Sequence, residues 1–277
     1  MTTTLTIASR AIDLATLPAV GLAELLAHAE LQTRVDRKYL LSAADLPTVL
    51  GTTDAALRVL EIDGRREFGY TSTYFDDPDL VSFHRAGRGR RRRFKVRTRV
   101  YRDSGEAWLE VKTRTGRGET VKDRLPYDLA DAGRLTVGAR EFVAATVAAR
   151  DAGEADVAAL VPVLHTSYRR TTLLVTATPV VHRVRYPTEV IDDVTRATID
   201  FGLSWRRPAA DTTLGLPGRV VVETKGGTAP SPLDRALWRA GVRPSRVSKY
   251  GVGLAALTDL PDLKWHRVVD RLRPHPA

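Results

Sequence analysis

The chain has 277 residues, 43% of them hydrophobic, so it is long enough to bury a substantial core. It has no cysteine and only six scattered histidines, which excludes a disulfide framework and a thiolate metal site and argues against zinc. The net charge of +10 is concentrated: Leu80 to Arg102 holds ten Arg or Lys and no acid, and without that segment 33 basic residues face 33 acidic ones. Such asymmetry points to a phosphate-rich ligand more than to general solubility.

The opening stretch, MTTTLTIASRAIDLATL, lacks a basic region followed by an apolar one, and no run approaches the ~18 apolar residues of a bilayer span. A soluble, cytoplasmic protein without a transmembrane segment is expected. No Gly/Ser-rich or Pro-rich linker interrupts the chain, so a single domain over 1–277 is expected, with its core at about 30–257. Leu17 to Leu31 is apolar at helical spacing, and Ser42 with Asp45 forms a capping pattern for a short helix to about Leu50. Alternating or β-rich stretches follow at about 34–41, 57–63, 66–76, 90–103, 106–115 and 118–127, joined by short turns such as Asp103-Ser104-Gly105. Strands joined this tightly must be antiparallel. An Ala-rich helical section covers about 134–161, strands resume at about 163–175, 180–187, 194–206 and 219–226, and helices close the chain at about 231–241 and 248–257.

Within these strands, charge falls on every second residue. Arg93, Lys95, Arg97 and Arg99 share one face and Phe94, Val96, Thr98 and Val100 the other. Glu110, Lys112 and Arg114 oppose Leu109 and Val111, while Lys122 and Arg124 oppose Val121 and Leu125. The pattern returns in Arg183 and Arg185, in Arg196 and Asp200, in Glu223 and Lys225, and in Asp36 and Lys38. One such strand reads as the wet face of an antiparallel sheet. Repeated over seven strands with few carboxylates, the pattern fits an α+β fold whose sheet closes into a barrel with a cationic interior.

The ordered motifs Asp36-Arg37-Lys38-Tyr39, Tyr74-Phe75-Asp76-Asp77-Pro78-Asp79, Lys95-Val96-Arg97-Thr98-Arg99, Glu110-Val111-Lys112, Tyr168-Arg169-Arg170-Thr171, Arg196-Ala197-Thr198-Ile199-Asp200, Val222-Glu223-Thr224-Lys225 and Ser248-Lys249-Tyr250 resemble those of the VTC domain. This is the polyphosphate polymerase domain of the vacuolar transporter chaperone family, in the triphosphate tunnel metalloenzyme superfamily. The resemblance implies an antiparallel eight-stranded β-barrel with flanking helices, and transfer of the γ-phosphoryl group of ATP to a growing polyphosphate chain. It implies phosphate-binding roles for Lys38, Arg97, Arg99, Lys112, Lys122, Arg170, Arg196 and Lys249, with Ser248 beside them at a helix start, and a metal-binding role for Glu223. The alternation adds Lys95, Arg124, Arg183, Arg185 and Lys225 to the substrate-binding set. Mg²⁺ or Mn²⁺, held by one or two carboxylates and substrate oxygens, suits Glu223, with Glu110 or Asp200 as helpers; Asp200 reads more readily as the partner of an arginine.

Phosphoryl transfer needs positioning and charge neutralisation, so the absence of a Ser/His/Asp or Cys/His set is no objection. His84, His165 and His182 are isolated, and Trp108 and Trp205 read as packing residues. Arg90 to Arg92 follow Gly87-Arg88-Gly89 and read as a mouth patch or a solvated loop. Hydrolytic relatives carry E-x-E-x-K near the N-terminus, where this chain has Arg34, Asp36 and Lys38; the substitution at Arg34 fits the polymerase branch better. The alternatives are a triphosphate hydrolase and a non-catalytic polyphosphate or nucleic-acid binder. No recognition helix or exposed aromatic pattern accompanies the charge, which weighs against nucleic acid. ATP and polyphosphate or triphosphate are the expected ligands, and no partner protein is read from the sequence.

Overall fold

Alternation makes most of the chain extended, and the computed structural model describes residues 11–27, 35–117, 119–177, 194–208 and 210–273. The strands are β1 (Ala19–Val20), β2 (Val35–Ser42), β3 (Ala55–Leu60), β4 (Phe68–Asp76), β5 (Arg93–Tyr101), β6 (Glu106–Arg114), β7 (Thr120–Tyr127), β8 (Val161–Ala177), β9 (Val194–Arg206), β10 (Thr213–Gly215) and β11 (Arg219–Gly226). The helices are α1 (Leu22–Ala27), α2 (Leu46–Gly51), α3 (Val81–Gly87), α4 (Val137–Ala149), α5 (Pro232–Arg239), α6 (Lys249–Ala256) and α7 (His266–Val269). Hydrogen-bonded neighbours follow the order β2-β11-β9-β8-β4-β5-β6-β7, an eight-strand path, with β3 and β10 attached to β8 and β9 and β1 to β3. This is the α+β class with flanking helices that the sequence leads one to expect. The short connections from β5 to β7 give antiparallel ladders, also as expected, and β4 pairs antiparallel with β5 across the longer segment that holds α3. Among the described residues, no helix is long and apolar enough to cross a membrane.

The chain forms two compact units, one from residues 1–67, 170–201 and 218–245, the other from 68–169, 202–217 and 246–277. In the first, Tyr39, Leu41, Val220, Val222, Ala197 and Ile199 pack with Val49 and Leu50 of α2 and with Leu233, Ala236 and Leu237 of α5. Their sheet neighbours Lys38, Glu223 and Arg196 therefore lie on the other face. Buried Asp234 fixes α5 to this sheet: Tyr39 (2.6 Å) and Thr224 (2.6 Å) donate their hydroxyls to Oδ1, and the Ser231 amide donates to Oδ2 (2.8 Å), completing a capping box. Burial, then the Asp234 carboxylate, pushes the Tyr39 phenol above its ordinary value. Asp234→Ala orphans these donors and is expected to cost about 2–4 kcal/mol in urea unfolding; a loss below about 0.5 kcal/mol, the level of an ordinary surface substitution, would refute the anchoring role.

In the second unit, Phe75, Phe94, Val96, Leu109 and Val111 pack beneath Ala139, Val143 and Val147 of α4. That leaves the even-numbered residues of β6 and β7 and the odd-numbered residues of β5 on the opposite face. Two glycines inside α6 permit close packing: a Cβ on Gly251 would lie 2.2 Å from Trp265 Cζ2, and one on Gly253 2.0 Å from Trp205 Cδ1. Trp205 also donates Nε1–H to the Lys249 carbonyl at 2.7 Å, tying the first residue of α6 in place.

Several expectations change. The apolar stretch from Leu17 begins after a 3-10 turn at Leu14–Thr16 and gives β1 and then α1, because Pro18 cannot donate to a helix; the part beyond Ala27 lies outside the described residues. Ser42 accepts from the Ala44 amide (3.2 Å), and Asp45 caps α2 without a side-chain bond, so the capping pattern forms a turn instead. The Ala-rich section is helical only to Ala149, since Asp151 and Gly153 take positive φ (46° and 102°). Helix α3 was not foreseen. Its first turn is capped from a distance by buried Asp76, which accepts from the amides of Ser82 and Phe83 (3.0 Å each), and by Asp77, which accepts from Val81 (2.9 Å). Nor does α6 end the chain, since α7 follows it.

Candidate functional site

The cationic face of the second unit is laid out by register. Arg93 lies opposite Arg114, Lys95 opposite Lys112, Arg97 opposite Glu110 and Arg99 opposite Trp108; across the next ladder, Lys112 faces Lys122 and Glu110 faces Arg124. Glu110 is the carboxylate at the centre of this row, 2% exposed. Its Oε2 accepts from Arg97 Nε at 2.7 Å, with Arg99 Nε at 4.0 Å, and its Oε1 accepts from Lys122 Nζ at 3.2 Å. Burial opposes ionisation, but Arg97, Arg99 and Lys122 together hold the Glu110 carboxyl well below the usual carboxylate range. Eight cations of β5, β6 and β7 share this face with two carboxylates, central Glu110 and exposed Glu106, which leaves a large excess of positive charge.

Aromatic rings also hold many of the site's cations. Arg97 lies 5.7 Å from the Tyr74 ring and donates Nη1–H to its hydroxyl at 2.9 Å; Arg99 lies 5.7 Å from Tyr70, Lys95 5.7 Å from Tyr250, Lys249 4.3 Å from Tyr168 and Arg124 4.4 Å from Trp108. A π face orients a cation without cancelling its charge. Trp108 is thus a member of the cationic face, whereas Trp205 is buried packing. These rings were missed as site residues although a signal existed: Tyr70, Ser72 and Tyr74 alternate on β4 and pair with Tyr101, Arg99 and Arg97. Tyr250 is fixed in turn by its hydroxyl, which donates to Asp76.

Ser248 caps α6, its Oγ accepting from the Gly251 amide at 3.2 Å and from Lys95 Nζ at 3.1 Å. Burial, then Lys112, Lys264, Arg93 and Arg97, lowers the Lys95 ammonium to about 7. At pH 8 the free side chain is therefore mostly neutral, and a bound polyanion draws a proton onto it. Tripolyphosphate binding at pH 8 is expected to take up roughly half a proton or more, read from calorimetry in two buffers of different ionisation heat. Lys95→Met should reduce the uptake. Equal apparent enthalpies for wild type in both buffers would contradict the assignment.

The first unit carries its own polar cluster. Glu223, 9% exposed, lies between Lys38 of β2 and Thr198 of β9. Its Oε1 accepts from Lys38 Nζ at 2.8 Å and lies 3.6 Å from Lys225 Nζ. Burial disfavours its charge, yet Lys225, Lys38 and Arg170 hold it well below the ordinary value. Arg170 grips Asp200 with a two-pronged pair, Nε to Oδ1 at 2.7 Å and Nη2 to Oδ2 at 3.0 Å. Lys225 and Arg196 are cross-strand neighbours.

Of the residues singled out in the sequence, Arg97, Arg99, Lys95, Lys112, Lys122, Arg124, Glu110, Ser248 and Lys249 belong to the second unit and Lys38, Arg170, Arg196, Lys225 and Glu223 to the first. Arg183 and Arg185 lie outside the described residues. Arg90 to Arg92 are exposed, and Arg92 pairs with Asp151 at 2.7 Å, as in a solvated loop. No group of three or more His, Asp or Glu suited to a metal occurs among the described residues. The two carboxylates expected to hold a metal differ. Among the described residues, cations lie on both oxygens of Glu110, whereas Lys38 and Lys225 both approach Oε1 of Glu223.

A family model described as the VTC domain matches residues 33–258. Among solved structures, the chain is similar to a putative adenylyl cyclase from Hippeastrum described as having a dominant triphosphatase activity, at 14% identity over 83% of this chain and 99% of that one, with a TM-score of 0.43. It is similar also to a protein from Pyrococcus horikoshii OT3 (13% identity, 82% and 99% covered, TM-score 0.42) and to a putative adenylate cyclase from Bacillus halodurans (13%, 78% and 94%, 0.40). No curated protein matches.

Proposed function

Since the chain belongs to the VTC domain family, we propose that it is a polyphosphate polymerase that transfers the γ-phosphoryl group of ATP to the end of a growing polyphosphate chain. The observation that carries this reading is the buried Glu110 carboxylate held by Arg97, Arg99 and Lys122, with Arg97 and Arg99 also set against the Tyr74 and Tyr70 rings, which leave their charge available. A terminal oxygen of the chain attacks the γ-phosphorus while the bond from that phosphorus to the β-bridging oxygen breaks, so ADP departs and the polymer gains one phosphate. The attacking oxygen is already ionised near neutral pH, so no residue need remove a proton.

What remains is to align donor and acceptor and to neutralise the equatorial oxygens. Arg97 and Arg99 offer guanidinium forks to those oxygens, and Lys112, Lys122 and Lys249 act as point charges. Lys38, Arg170, Arg196 and Lys225 serve phosphate in the same way. Mg²⁺ or Mn²⁺ would be held by Glu223 and would supply positive charge to phosphate oxygens. Incubation with ATP and Mn²⁺ is expected to give long polyphosphate visible on a gel. ADP and free phosphate with no polymer would overturn the polymerase reading in favour of a triphosphate hydrolase, and no turnover with retained polyphosphate binding would leave a binding module.

A further inference from the structure

Two neighbouring rungs of the β5–β6 ladder set like charges face to face, Lys95 against Lys112 and Arg93 against Arg114. Directly opposed like charges destabilise a sheet. The next rung, Arg97 against Glu110, carries its own carboxylate, whereas Arg93 meets only Arg114 across the ladder. A third cation joins Arg93 and Arg114 from the segment after α6. Lys264 donates Nζ–H to the Ala86 carbonyl, lies 5.5 Å from the Trp265 ring, and is lowered to about 8 by burial and then by Arg93, Arg246 and Arg114. Arg114 Nε is buried without a hydrogen-bond partner among the described residues, and none of them places a carboxylate on Arg93, Arg114 or Lys264. Repulsion built into a ladder, with an orphaned guanidinium N–H beside it, is what an anion would relieve.

We infer that Arg93, Arg114 and Lys264 form a second anion station that takes the further phosphates of a long polyphosphate chain and so favours long chains over triphosphate. The inference rests on the phosphate-binding reading of the Arg97 cluster. Arg93 is four residues from Arg97, about 13 Å along a strand. The two anhydride links of a triphosphate held at Arg97 are too short to reach that far, whereas a longer chain spans both. The three residues would therefore act on chain-length preference while leaving triphosphate binding alone.

The test compares tripolyphosphate with a polyphosphate of several tens of units, bound to wild type and to the full-length variants Arg114→Gln and Lys264→Gln at fixed salt. Each variant should bind the long chain roughly 5- to 20-fold more weakly and tripolyphosphate within about twofold of wild type. Each should melt no lower than wild type without ligand, because it relieves repulsion, and this controls for misfolding. Equal losses for both ligands, or no loss for either, would overturn the second station while leaving the functional reading intact. Failure of wild type to bind either ligand would overturn the functional reading and this inference with it.

Discussion

Glu110→Gln is expected to lower the melting temperature by roughly 5–10 °C at neutral pH, as a loss of about 2–3 kcal/mol does in a chain of this size. The substitution keeps shape but removes the charge that Arg97, Arg99 and Lys122 share. Those cations are partly open to water, which limits the loss. The sign with pH follows from the depressed Glu110 carboxyl. Its stabilisation is complete above the unfolded carboxylate value, near pH 4–5, and fades as pH falls through the folded value, so the gap between wild type and variant should close in acid. Polyphosphate should raise the melting temperature of the variant more than that of wild type, since phosphate oxygens replace the missing charge. A variant that melts with wild type at neutral pH would show that Glu110 does not hold the row together.

Arg97→Ala is expected to reduce the conversion of ATP into polyphosphate by about 10²–10³ in kcat/KM, the usual cost of losing a preorganised charge beside a transferring phosphoryl group. Arg97 joins the Glu110 carboxylate to the Tyr74 hydroxyl through two different nitrogens, an arrangement that one ammonium cannot copy. Arg97→Lys should therefore recover little of the rate while folding normally by circular dichroism. Activity of either variant within about threefold of wild type would remove Arg97 from the reacting centre.

Strand positions were legible wherever alternation was strict. The stretches at 194–206 and 219–226 coincide with β9 and β11 because period-two patterning fixes both extent and facing. Helix α3 was illegible because VSFHRAG has no helical period, and its caps, Asp76 and Asp77, lie outside the helix. The cations of the site were legible and their supports were not. Tyrosine on a strand reads as packing until the register shows it opposite arginine. Asp234 likewise looks like a surface charge on an amphipathic helix, yet it is buried by a contact almost two hundred positions away in sequence.

The rings that steady the cations also give the protein an optical reporter. Tyr70, Tyr74, Tyr168 and Trp108 sit against charges that a ligand would cover, so their ultraviolet spectra should respond to occupancy without any added dye. A residue set chosen for holding charge thus lets the filling of the site be followed in the unlabelled protein.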